Sequence, residues 1–122
     1  MKRPIVLAAL LLLAVPQKAS AVRGTQLQEA CSVYTETAIG NVRPQAAVNA
    51  GICMGYIMSA IDAYPIIHTA YPTVEFCAPK EVNYTKDLKV VTKFLRDHPE
   101  FLHKQAGMLV ILAMSNAFPC NK

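Results

Sequence analysis

The stretch PQAAVNAGICMGYIMSAIDA, residues 44–63, decides how this chain is read. Pro44 suits the first turn of a helix, where its missing N–H would have no partner in any case. Between Ala46 and Ile61 only Asn49 and Ser59 are polar. A helix apolar on every side is buried all round, in the core of a domain or of an oligomer. The pattern therefore predicts a helix from Pro44 to Ala63, enclosed by the rest of the fold. Ala47, Gly51, Gly55 and Ser59 recur along it at strict four-residue spacing. Small side chains in such a stripe let another helix backbone approach closely, as a packing contact within the chain or as a homodimer seam.

Outward from this helix the chain reads as helices joined by Pro-marked turns. Upstream, Thr25 caps a helix to about Ile39, with Leu27, Cys31, Tyr34 and Ala38 on one face, and Gly40-Asn41 ends it. Downstream, Tyr64 to Pro79 holds three prolines and three aromatics. It is expected to be irregular, with at most one short helical turn around Ile66 to Ala70. Leu88, Val91, Phe94 and Leu95 then place a third helix at about Tyr84 to Arg96. Asp97 with Glu100 three residues on suggests a capping-box start for a fourth helix, Pro99 to Ala117, which Pro119 ends.

The four cysteines, Cys31, Cys53, Cys77 and Cys120, favour two disulfides over a metal site, because no two are closer than 22 residues and no CxxC or HxxxH spacing occurs. Geometry selects the pairing. Cys31 and Cys53 lie symmetrically about the Gly40–Arg43 turn, so an antiparallel helix pair brings them to the same height. Cys77 and Cys120 are symmetric about the turn at His98-Pro99. The expectation is an all-α protein, a small four- to five-helix bundle of two antiparallel helix hairpins, each closed by a disulfide.

Met1 to Ala21 reads as a cleavable secretory signal: Lys2 and Arg3, an apolar run from Ile5 to Val15, Pro16, and the small-x-small triplet Ala19-Ser20-Ala21. The run is about half the length a membrane span requires, so no stable anchor is expected after cleavage. Residues 22–122 would form a single exported domain. The formal charge of +4 belongs mainly to the signal, since after it nine basic side chains face eight acidic ones, leaving +1. That gives no electrostatic reason to expect nucleic acid as partner. With 51 of the 101 residues after the signal apolar, disorder is not expected.

Catalytic groups are sparse. No GxSxG, glycine-rich phosphate loop or HExxH occurs, and oxidised cysteines leave no thiol nucleophile. His98 and His103, five residues apart, point to different helix faces. His68 has no partner that spacing enforces, although Asp62 and Glu75 are near in sequence. Enzyme, metal and cofactor are therefore not expected. Lys86, Lys89, Lys93 and Arg96 form a basic stripe that reads either as a docking face for an acidic partner or as an ordinary solvated face diluted by Asp87, Asp97 and Glu100. Asn83-Tyr84-Thr85 matches a glycosylation acceptor, relevant only to a eukaryotic secretory route.

The sequences CMGYI from Cys53, FCAP over Phe76 to Pro79, FLRDHPEFLH over Phe94 to His103 and AFPC over Ala117 to Cys120 closely resemble the Rap/Tai immunity proteins of bacterial type VI secretion. The likeness covers about residues 27 to 120. It implies a small helical periplasmic protein, often a homodimer, that occludes the active-site cleft of a peptidoglycan amidase effector with a projecting loop. The matched Cys53, Cys77, Pro79, His98, Pro99 and Cys120 look like scaffold and disulfide positions, and Ser59 stands where the family pattern expects Gly. The contacting loop differs among members, so the residues of this chain must indicate it. Asp62 to Glu75, the longest stretch expected to be non-helical, offers Tyr64, Ile67, His68 and Tyr71, amphipathic side chains of the kind found at binding hot spots. The competing assignment is that these aromatics cap the core. A different class, a small periplasmic chaperone with a disulfide-linked helical fold, is disfavoured by a near-neutral mature charge and only three histidines.

Overall fold

A computed structural model of the chain describes residues 20–34 and 44–121. The signal through Ala19, the end of the first expected helix and the Gly40–Arg43 turn lie outside the described residues. The described residues form four α-helices: α1 (Gly24–Cys31), α2 (Pro44–Ala70), α3 (Tyr84–Asp97) and α4 (Ala106–Ala117). Short 3-10 turns occupy Ser32–Tyr34 and Pro99–Phe101. The all-α bundle and both disulfides agree with the sequence reading.

The core draws on every helix: Leu27, Ala30 and Cys31 of α1, Cys53, Ile57 and Ala60 of α2, Val91, Phe94 and Leu95 of α3, and Ala106, Leu109, Val110, Ile111, Ala113 and Met114 of α4. The most enclosed helix is therefore α4, which packs against the other three, and not residues 44–63. The reason is length. At 1.5 Å per residue α2 extends for about 40 Å, whereas α1, α3 and α4 reach only about 12–21 Å. They cover one strip of α2 and leave its outer face open, so the all-round burial expected for it does not occur.

The second correction concerns Pro65, which lies inside α2. A proline there deprives the Ile61 carbonyl of its helical donor, yet the helix continues to Ala70. Tyr64 and Ile67 fall on the same strip as Cys53, Ile57 and Ala60 and pack on the core. The Thr69 hydroxyl donates to the Pro65 carbonyl at 2.9 Å. Burial of this strip offsets the missing hydrogen bond, and the irregular segment shrinks to residues 71–83.

The third correction is the start of α4 at Ala106 rather than Pro99. Asp97 is the last residue of α3 and pairs with Lys93 and Arg96 instead of capping a fourth helix. Residues 102–105 serve α1: the Leu102 and Lys104 carbonyls accept from the N–H groups of Thr25 (3.1 Å) and Gly24 (2.9 Å). Ala106 N–H donates to Val22 at 2.8 Å, and Arg23 bridges to Gln105. These contacts satisfy the otherwise orphaned donors at the start of α1.

Cys31–Cys53 joins α1 to α2 with Cα atoms 5.0 Å apart, and both residues are buried. Cys77–Cys120 ties the segment before α3 to the residues after α4 with Cα atoms 4.9 Å apart. Both pairings are those the symmetry argument selects.

Candidate partner-binding surface

At its C-terminal end α2 turns back into an extended segment, and the aromatic residues singled out in the sequence meet there. The Tyr64 ring lies 4.1 Å from that of Phe76 and 5.6 Å from that of His68, centroid to centroid. The Tyr64 hydroxyl accepts from Phe76 N–H at 3.1 Å, and His68 Nδ1 lies 3.1 Å from the Val74 carbonyl oxygen. Cys77 N–H donates to the Phe118 carbonyl at 2.8 Å, and Tyr71 N–H continues the helical pattern onto Ile67 at 2.8 Å.

The four residues thus divide. Tyr64 and His68 hold residues 74–76 against the end of α2, Ile67 packs on the core, and all three stand on a helix rather than on the loop expected for them. Tyr71 faces solvent, 66% exposed. Also exposed, five positions earlier on α2, is a residue not singled out in the sequence, Ile66, at 76%. Ile66 and Tyr71 each present apolar area at the end of α2, which the Tyr64–Phe76 contact and the Phe76 N–H bond to Tyr64 brace.

The outer face of α2 extends this surface. Val48, Ile52, Gly55, Ser59, Asp62 and Ile66 follow one another at spacings of three and four, opposite Cys53, Ile57 and Ala60, and all are exposed. A Cβ built on Gly51 or Gly55 meets nothing within 4 Å, so no described helix of the chain packs on the stripe Ala47, Gly51, Gly55 and Ser59. Among the described residues, therefore, no intrachain partner covers that stripe. By length and composition alone α2 would also cross a membrane, but its Cys53 strip is committed to protein contacts. Sequence periodicity could not select this face, because a helix apolar all round has no preferred side. The Cys31–Cys53 pairing could, since it turns Cys53 inward and everything opposite outward.

Elsewhere most charged groups are exposed, with Asp87 buried. Lys93 and Arg96 hold the Asp97 carboxyl below the ordinary carboxylate range, which neutralises one end of the basic stripe, while Lys86 and Lys89 are exposed. His98 Nδ1 lies 3.1 Å from Glu100 Oε1, and its ring is clustered with those of Phe94 at 4.4 Å and Phe101 at 5.7 Å. The His103 carbonyl accepts from Arg23 Nη1 at 2.6 Å. The histidines are not gathered, and among the described residues no group of three or more His, Cys, Asp or Glu side chains is placed to hold a metal ion. Asn83 caps α3, its side chain accepting from Lys86 N–H at 3.3 Å. What the geometry offers is an exposed, largely apolar surface along α2 and at its end. A family model of the Rap1a immunity proteins matches residues 23–120, and no curated protein matches the chain.

Proposed function

Because the chain belongs to the Rap1a immunity protein family, we propose that it protects its producer by binding in the periplasm. It is exported by the segment ending near Ala21 and seals the active-site cleft of a type VI secreted peptidoglycan amidase. Immunity proteins act on a partner effector, and the observation that supports this mode here is the exposure of Ile66 and Tyr71 at the braced end of α2. Ordering by a helix end and an aromatic contact lowers the entropy lost on association. A second copy covers the outer face of α2 along Gly51, Gly55 and Ser59, so that a homodimer presents two such ends. Neither contact calls for a metal, a cofactor or a nucleophile from this chain.

Co-expression tests the proposal. Cells exporting individual amidase effectors of this class should lyse alone and keep growing when the full chain, with its export segment, is made alongside one cognate effector. Lysis with every effector, despite accumulation of the folded chain in the periplasm, would refute it.

A further inference from the structure

The two disulfides occupy opposite environments. Cys31 and Cys53 are 2% and 0% exposed and sit in the core beside Leu27 and Ile57. Cys77 is exposed and Cys120 half-exposed, and neither belongs to the buried core. From this contrast we infer that Cys77–Cys120 is a site of thiol–disulfide exchange with an external dithiol, and that its opening releases residues 77–82 and the chain end without unfolding the bundle.

The exchange is balanced by the dithiol alone. One of its thiolates attacks a sulfur of the Cys77–Cys120 bond, forming a mixed disulfide and expelling the other sulfur as a thiolate, which takes up a proton. The second thiol of the reductant then displaces the remaining cysteine. Cys77 and Cys120 end as thiols, the dithiol ends as a disulfide, and two electrons have moved. Access governs such an attack. The inner bond becomes accessible only when α1 parts from α2, an opening of the core itself, whereas the outer bond requires at most local motion.

The elements around the outer bond explain what its loss would release. After Ala78 and Pro79 the chain runs through exposed Lys80 and Glu81 to the Asn83 cap of α3. Besides the disulfide, the backbone contact from Cys77 N–H to Phe118 holds this segment to the chain end. On the other side, the Tyr64–Phe76 contact and the Phe76 N–H bond to Tyr64 remain. Reduction should therefore loosen the stretch beyond Phe76 while the α2 end keeps its shape.

The test is graded treatment of the folded full chain with dithiothreitol, alkylation of the thiols formed, and peptide mapping, followed by brief trypsin digestion. Cys77 and Cys120 should be alkylated at least about tenfold faster than Cys31 and Cys53. Far-ultraviolet circular dichroism should be retained at that stage, and cleavage after Lys80 should accelerate with the alkylation. Simultaneous opening of both bonds, earlier opening of Cys31–Cys53, or loss of helicity together with the outer bond would overturn the inference. A Cys77→Ser/Cys120→Ser chain should keep a cooperative thermal transition and show the fast Lys80 cleavage without reductant; its failure to fold would equally overturn it.

Discussion

Asp87 is the one described charged side chain that the fold buries, and its Oδ1 has no hydrogen-bond partner. Desolvation pushes its carboxyl above the ordinary value of 3.8. The folded chain then keeps this proton to a higher pH than the unfolded chain does. Its contribution to stability falls as pH rises from 3.8 through the raised value, and it stays unfavourable above that. Asp87→Asn cannot ionise and should be more stable than the parent by about 1 kcal/mol in urea unfolding at pH 7. The advantage should vanish when both are measured below pH 3.8. Asp97 and Glu100, whose carboxyls are held low by Lys93 with Arg96, and by the Glu100 backbone with His98, act in the opposite sense but are common to both chains and cancel. Tyr64→Phe removes the acceptor of Phe76 N–H and should cost about 1 kcal/mol in the same assay, with faster hydrogen exchange at Phe76. Asp87 stood in the sequence as one of three acids diluting a basic stripe. Nothing local to it announced burial, which depends on the helices that close over α3.

Single elements show what was legible and what was not. The boundaries of α3 agree with its periodicity to within one residue, because Leu88, Val91, Phe94 and Leu95 give it a single apolar side. The disulfide pairing was readable because helix rise converts sequence separation into height. The continuation of α2 through Pro65 was not readable. Proline is a local signal, and the core contacts of Tyr64 and Ile67 that outweigh it are made with other helices. The late start of α4 has the same origin, since the carbonyls of Leu102 and Lys104 bond to residues some eighty positions earlier. That junction yields a prediction. A Cβ on Gly24 would collide with the Leu109 side chain and lie 2.9 Å from the Leu102 backbone. Gly24→Ala should therefore destabilise the chain by about 1–3 kcal/mol, read as a lower midpoint in thermal unfolding. Gly51 and Gly55 face open space instead. Replacing each by Ala should favour the isolated helix by about 0.5–1 kcal/mol but hinder close approach of a second α2. The double variant should sediment as a monomer at concentrations where the parent is a dimer, with no loss of helicity. An unchanged dimer would place the seam elsewhere.

For the molecule as a whole, a short, enclosed α4 and a long, half-covered α2 create an imbalance. The core is complete within the chain, yet one helix of 27 residues keeps an apolar outer face and ends in the exposed pair Ile66 and Tyr71. In a member of the Rap1a immunity family, that surplus supports the proposed second copy along the helix and the proposed effector contact at its end. The helical class and the immunity resemblance were legible in the sequence, from pattern and from motifs respectively. The role of Tyr64 and His68 was not legible, because they share the composition of a hot spot while bracing residues 74–76 against the end of α2. The central claim is that Ile66 and Tyr71 carry the effector contact. It is tested most directly by titration calorimetry of the purified chain against the amidase whose lysis it suppresses, with the parent and Ile66→Ser/Tyr71→Ala compared. Both substitutions are at exposed positions and should leave thermal stability within about 0.5 kcal/mol. The predicted result is saturable binding by the parent and an affinity at least about a hundredfold lower for the variant, about 2.7 kcal/mol. Equal affinity of the two folded chains would contradict it.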